Sequence, residues 1–153
     1  MVKIYLGGNM KTNNELLMHI YESSDMGIKA TKKLLKLLKD KDNKIKDEIE
    51  KELKEYENIY KKAKKILKKQ NIKVNSNVIA SISANASMSM EISKDNSDAK
   101  IADILLRGFV MGVAKIEKKI KDYKKDVDHA TLSLAKDLRE FQESSLKRVQ
   151  NYL

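Results

Sequence analysis

The chain of 153 residues lacks cysteine, proline and tryptophan, and it contains only five glycines. The absence of cysteine excludes disulfides, thiol nucleophiles, zinc fingers and iron–sulfur clusters. An all-β fold needs turn residues about every ten positions, so the lack of proline and the scarcity of glycine argue against one. The remaining composition, 41% hydrophobic and 35% charged, is typical of one helical domain.

Long apolar runs are also missing. The most apolar stretch, residues 101–113, contains Asp103 and Arg107 and is far shorter than the roughly 20 apolar residues of a membrane-spanning helix. The N-terminal segment has neither the apolar run nor the cleavage site of a signal peptide. We therefore expect no transmembrane segment and a cytoplasmic location.

Apolar residues recur at helical spacing in five segments. The two clearest seams are Leu17, Ile20, Ser24, Gly27, Thr31, Leu34 and Leu38, and Val127, Thr131, Leu134, Leu138, Phe141, Ser145, Val149 and Tyr152. Less regular stripes are Ile45, Ile49, Leu53, Tyr56, Tyr60, Ala63 and Leu67, and the shorter set Val78, Ile79, Ile82, Ala86 and Met90. The spacing predicts long helices over about 13–39, 44–70, 98–124 and 127–152, and a short helix over about 76–91. We predict an all-α fold in which residues 13–153 form one domain after a loose lead-in of residues 1–12.

The connections between these helices decide the topology. Two are short, but the link over residues 74–97 is long, and a sixteen-residue helix within it would rise about 24 Å. A link that crosses the length of the molecule gives a ferritin-like four-helix bundle with an additional short helix in the long connection. A link that folds locally gives an up-down-up-down bundle. We favour the crossover and leave the alternative open.

Three short motifs stand out in the sequence. Their residues are Ser97, Ile101, Ala102, Leu105, Gly108, Met111 and Gly112, the earlier Tyr21, Asp25, Met26 and Gly27, and the terminal Asn151, Tyr152 and Leu153. These motifs resemble those of a group of uncharacterised helical proteins of low-GC Gram-positive bacteria. The resemblance would extend over most of residues 13–153. It implies a ferritin-like bundle and brings no known activity.

A ferritin-like bundle raises the question of a metal site. A dinuclear iron or manganese centre takes Glu-x-x-His motifs from two helices, and this chain has none. The candidates for a surface site that binds iron, manganese or zinc are His19, Glu22, Asp126 and His129. We interpret them, like the glutamate stripe Glu48, Glu52 and Glu55, as exposed polar faces, and we expect no cofactor.

Catalytic patterns are missing from the sequence as well. We find no Ser–His pair, phosphate-binding loop or zinc helix motif. We also expect no pair of carboxylates inside an apolar stripe, where burial would shift a pKa. The sequence therefore favours a protein that is not an enzyme.

Glycine interrupts the fourth predicted helix twice, at Gly108 and Gly112. Each glycine inside a helix costs about 1 kcal/mol relative to alanine, so close packing must compensate. We expect this face to pack against the small seam around Gly27. The alternatives are that the missing side chains leave a hole for a ligand, or that Gly27, Gly108 and Gly112 form a face for self-association.

Lysine is unevenly distributed. Residues 61–73 contain seven lysines and no acid, and residues 115–125 contain six lysines and two acids. Both blocks end helices, where cations suit the helix dipole, and a solvated face explains much of the pattern. If the long link crosses the bundle, however, the two blocks meet at one end. The candidate polyanion-binding residues are then Lys61, Lys62, Lys64, Lys65, Lys68, Lys69, Lys118 and Lys121.

Three functions are consistent with these observations. The leading hypothesis is a non-enzymatic interaction or binding module with an unknown protein partner or a second copy of the chain. The first alternative is a degenerate ferritin-like metal-binding or redox protein. The second is a nonspecific binder of nucleic acid or an anionic surface through the lysine clusters, although no nucleic-acid-binding motif is visible.

Overall fold

The computed structural model describes residues 4–5, 8–74 and 78–153. Its helices are α1 (Met10–Leu37), α2 (Lys46–Lys69), α3 (Val78–Lys94), α4 (Asp98–Tyr123) and α5 (His129–Val149), followed by a 3₁₀ turn over Gln150–Tyr152. Two short strands, β1 (Ile4–Tyr5) and β2 (Gly8–Asn9), pair in antiparallel fashion before α1. The prediction of an all-α fold is confirmed, and α1 begins three residues earlier than expected.

The starts of α4 and α5 are fixed by side-chain caps. The Ser97 side chain accepts a hydrogen bond from the Lys100 backbone N–H, and the Asp128 side chain accepts one from the Thr131 backbone N–H. Each cap satisfies a donor that the first helical turn leaves without a partner. The described part of the chain contains no helix that is long and apolar enough to cross a membrane.

The buried side chains follow the predicted seams closely in α1 and α5. Along α1 the buried seam residues are Leu17, Ile20, Ser24, Thr31, Leu34 and Leu38, and along α5 they are Thr131, Leu134, Leu138, Phe141, Ser145 and Val149. Beside these seams, Asn13, Leu16, Ala135 and Gln142 are buried as well. In α2 the stripe is displaced, because Glu52 and Ile59 are buried whereas Leu53 and Tyr60 are only partly buried. The predicted face of α3 is also wrong: Ala86 and Met90 are exposed. The buried residues of its described side chains are Met88 and Ile92, and the side chains of 78–85 lie outside the description.

Four hydrogen bonds define the directions of the long helices. At one end of the molecule, Asn13 Oδ1 accepts from the Asp128 backbone N–H at 3.0 Å, and the Tyr123 hydroxyl donates to Glu15 at 3.2 Å. The start of α1, the end of α4 and the start of α5 therefore meet there, and we call this end the near pole.

At the opposite end, the far pole, the start of α2 meets the start of α4 and the end of α5. Asn43 Nδ2 donates to Asp98 Oδ1 at 2.9 Å, and Arg148 Nε donates to Glu48 Oε1 at 2.7 Å. Because α2 ends at the near pole and α4 starts at the far pole, the end of α2 and the start of α4 lie at opposite ends of the molecule. Between them in the chain, α3 packs against α1 and α4.

Candidate functional site

The near pole collects the two lysine-rich blocks, since α2 and α4 both end there. The lysines of α2 and its end are Lys61, Lys62, Lys64, Lys65, Lys68, Lys69 and Lys73, and those of α4 and its end are Lys115, Lys118, Lys119, Lys121, Lys124 and Lys125. All of them are exposed except Lys119, which is partly buried. With Glu117 and Asp122 as the acids, the two blocks carry a net charge of +11.

Few of these lysines are neutralised by partners. Among the ion pairs of the described residues, Lys118 binds Asp122 at 2.9 Å, and none of the other twelve takes part in one. Lys64 lies over the ring of Tyr60 and Lys119 over that of Tyr123, at 5.8 and 5.6 Å from the ring centres. The positive charge of the near pole is therefore available to a ligand.

A groove of about 430 Å³ opens between α2 and α5 at this pole. Lys62, Lys65 and Lys69 line it from α2, and His129 and Asp137 line it from α5. The start of α5 adds the partial positive charge of a helix N-terminus. The groove can therefore attract an anionic group.

A second groove of about 480 Å³ lies between α1 and α4 and contains His19 and Glu22 beside Lys119. Burial, followed by the charges of Lys119 and Lys115, lowers the pKa of His19 to about 4. The imidazole is therefore neutral at physiological pH. Its ring lies 3.4 Å from the Ser23 hydroxyl.

The metal-site candidates do not meet in one cluster. His19 and Glu22 line the groove between α1 and α4, whereas His129 lies in the groove between α2 and α5. Within the described ranges, no group of three or more histidine, aspartate or glutamate side chains is placed to hold a metal ion. Lys119 in the first groove and three lysines in the second put positive charge beside the candidate ligands.

The three glycine candidates have different surroundings, and the small seam of α1 does not pack on the glycines of α4. A Cβ on Gly27 would lie 2.4 Å from the ring of Tyr56, and one on Gly112 would lie 2.5 Å from Nε2 of Gln142. A Cβ on Gly108 would meet no atom within 4 Å. Gly27 and Gly112 thus make room for large side chains of α2 and α5, while Gly108 faces open space.

A buried carboxyl pair lies on α2, against the sequence-based expectation. Glu48 is 7% exposed and Glu52 is 0% exposed, so the glutamate stripe does not form a solvated face. Arg148 of α5 donates from Nε to Glu48 and from Nη2 to the Ser145 hydroxyl. Neither carboxyl oxygen of Glu52 has a hydrogen-bond partner among the described residues. The expectation that no carboxylate pair enters an apolar stripe is therefore wrong.

The electrostatics of Glu52 follow from this placement. Burial and, to a lesser extent, the neighbouring Glu48 carboxyl together raise the pKa of Glu52 to about 9, against the opposing effect of Arg148. Ionising both of two adjacent carboxyls beside a single arginine has a large free-energy cost in a low-dielectric interior. Arg148 stabilises the charge on Glu48, and the proton stays on Glu52. The protonated Glu52 can then donate to Glu48.

The sequence contained a signal for Glu52. Apart from Glu48, the buried residues from the start of α2 onward fall at 45, 49, 52, 56, 59, 63 and 67, a regular alternation of three- and four-residue steps until the last. The predicted stripe included the apolar Leu53 in place of the acidic Glu52 and therefore departed from that spacing. Arg148 is partly exposed and lies beside the buried residues of α5. Their spacing therefore does not reveal that its Nε donates to Glu48.

Comparisons of the chain with protein-family models, curated proteins and solved structures find no match. The resemblance to helical proteins of low-GC Gram-positive bacteria thus stays a prediction.

Proposed function

We propose that this chain is a non-enzymatic, ferritin-like four-helix-bundle protein that binds polyanions through its near pole. The ferritin-like assignment is supported by the antiparallel pairing of α1 with α2 and of α4 with α5, joined by a connection that runs from pole to pole. The binding assignment depends on that same connection, because it is what brings the ends of α2 and α4 together.

One observation carries the proposal: thirteen lysines of two helix ends share one pole, and Lys118 is the one of them with an ion-pair partner in the described chain. A concentration of unneutralised charge of one sign attracts a polyanion and its condensed counterions. Lysine contacts phosphate as a point charge, and the arginines that would read base edges are absent from both blocks. Binding should therefore be independent of sequence.

The near pole offers charge rather than apolar side chains for insertion into a membrane. Among the described residues, the exposed large apolar side chains are Met26, Met90, Val110, Met111 and Leu153. None of them belongs to the two lysine-rich blocks, whereas a membrane-surface helix presents an apolar face as well as a basic one. The polyanion that suits this pole best is the phosphate backbone of a nucleic acid.

The test compares two matched charge reversals by fluorescence anisotropy of a labelled DNA duplex. Lys61→Glu with Lys65→Glu changes the near pole, and Lys32→Glu with Lys36→Glu makes the same change at the same spacing near the far end of α1. All four lysines are exposed, so folding should survive in both proteins. We expect the affinity of the near-pole variant for DNA to fall at least tenfold relative to wild type. The affinity of the far-pole variant should fall by a factor that is several times smaller. Equal losses would contradict the proposal, and stronger binding to anionic vesicles than to DNA would contradict the choice of nucleic acid.

A further inference from the structure

The interior of the α2–α5 contact holds the one buried acid of the described chain whose carboxyl oxygens both lack a hydrogen-bond partner. Glu52 is completely shielded from solvent, and the closest charged groups that act on it are Glu48 of α2 and Arg148 of α5. An ionised carboxylate in such a place would lose its hydration without gaining a donor. A neutral carboxyl avoids that penalty and can donate to a neighbouring carboxylate.

The neighbours of Glu52 leave no other group to compensate a second negative charge. Arg148 already donates from Nε to Glu48 at 2.7 Å and from Nη2 to Ser145 at 3.1 Å. The Tyr56 hydroxyl also interacts electrostatically with Glu52. Burial is the main cause that raises the pKa of Tyr56, so this hydroxyl stays neutral and cannot compensate a negative charge. Within the described residues, α1 and α4 contribute no charged group to the electrostatics of Glu52. Arg148 is therefore the single positive group beside the two carboxyls, and its Nε donates to Glu48.

We propose that Glu48 and Glu52 form an internal proton site that locks α2 to α5, and that release of its proton opens this contact. In the locked state the Glu52 O–H donates to the Glu48 carboxylate, which Arg148 holds from the other side. When the proton leaves to solvent, Glu52 becomes a second carboxylate beside Glu48. Water must then reach it, which requires the end of α5 to move away from the start of α2.

The outer surface of this contact provides the route for that water. Lys51 and Glu55 of α2 and Ser144 and Arg148 of α5 line a groove of about 370 Å³ over the seam. Arg148 spans the distance between groove and interior, since its side chain is 34% exposed while that of Glu48 is 8% exposed. Displacement of this single side chain would connect the carboxyl pair to solvent.

The first test follows the proton itself. In protein labelled with ¹³C at glutamate carboxyls, we expect one carboxyl resonance to titrate in the alkaline range and to disappear in Glu52→Gln, which preserves volume. The matched Glu55→Gln variant, changed at an exposed position of the same helix, should keep that alkaline resonance. If Glu52→Gln does not fold, the wild-type titration alone decides. The absence of any alkaline glutamate titration would overturn the proposal.

The second test follows the movement. The chain has no cysteine, so spin labels at Lys51→Cys and Ser144→Cys report on the α2–α5 seam alone. We expect their distance to lengthen between about pH 7 and about pH 10 in the wild-type background and to stay constant in the Glu52→Gln background. Labels at Lys11→Cys and Lys121→Cys, on α1 and α4, provide the control. A seam distance that is unchanged with pH, or that changes equally in both backgrounds, would overturn the proposal.

Discussion

Glu52 illustrates at the residue scale how burial determines chemistry. Its pKa, raised to about 9, exceeds the ordinary glutamate value, so the folded chain keeps a proton that the unfolded chain loses above about pH 4.5. The contribution of Glu52 to stability is therefore greatest in acid and declines as the pH rises toward 9.

The first prediction concerns this pH dependence. The free energy of unfolding of Glu52→Gln, measured by urea denaturation, should rise relative to wild type as the pH increases from about 5 to about 9, because the amide carries no proton to lose. Glu55→Gln, changed at an exposed position of the same helix, is the matched comparison variant. A wild-type curve parallel to Glu52→Gln would show that Glu52 ionises normally.

His19 gives the opposite sign. The pKa of His19 is lowered to about 4 in the folded chain. Between about pH 6.5 and pH 4, His19 therefore binds a proton in the unfolded chain but not in the folded chain. Stability should fall as the pH drops through this window, and His19→Gln should remove that loss. His129→Gln, changed at an exposed histidine, is the matched comparison variant. Thermal unfolding across this range checks the prediction.

The glycines provide a third residue-scale prediction. Gly108→Ala should raise the free energy of unfolding by about 1 kcal/mol, because helix propensity improves and the added methyl group meets no atom. Gly27→Ala should lower it, since its Cβ would overlap the Tyr56 ring, and this steric cost exceeds the gain in propensity. Urea denaturation of the two variants separates them. Destabilisation by Gly108→Ala would indicate that this helix face is covered in solution, as the self-association hypothesis requires.

At the scale of elements, the polar ties between helix ends set the topology. Asp98, at the start of α4, accepts from Asn43 Nδ2 at 2.9 Å and from the Lys44 backbone N–H at 3.1 Å. These bonds hold the turn before α2 against the start of α4 and so fix where the long connection ends. Periodicity predicts each helix but is silent about such contacts.

The fourth prediction tests that tie. Asp98→Ala should lower the free energy of unfolding by about 1–3 kcal/mol, because it removes an acceptor shared by a side chain and a backbone N–H. Ser97→Ala, which removes only the cap of α4, should lower it by about 1 kcal/mol. Hydrogen exchange should show faster opening of residues 43–46 in Asp98→Ala alone. Equal exchange in both variants would mean that the tie does not hold the turn.

The α1 and α5 seams show why part of the fold was predictable. Most of their inward positions are occupied by apolar or small residues, with Asn13 and Gln142 as polar exceptions, so hydrophobic spacing and burial largely coincide. In α2 the acid Glu52 takes an inward position, and a criterion based on hydrophobicity chooses Leu53 instead. The partner that makes this burial tolerable, Arg148, is almost one hundred residues away, and no local pattern connects them.

At the scale of the whole molecule, the directions of the helices place the ends of α2 and α4 side by side, where they form one charged surface. Lysines at the end of α2 and of α4 each suit their own helix dipole. Because α2 and α4 both end at the near pole, the two sets lie together, and charges that each stabilise their own helix combine into one positive surface. The sequence predicted the clusters, but their common location depends on the direction of α3, for which the spacing left two possibilities.

The most direct measurement is the salt dependence of DNA binding. The logarithm of the association constant, measured by anisotropy against the logarithm of salt concentration, should fall linearly with a slope of about −0.9 for each lysine that contacts a phosphate. Lys61→Glu with Lys65→Glu should make the slope shallower by about 2, and Lys32→Glu with Lys36→Glu should leave it unchanged. A slope near zero, or one that both variants change equally, would contradict the claim that the near pole binds polyanions.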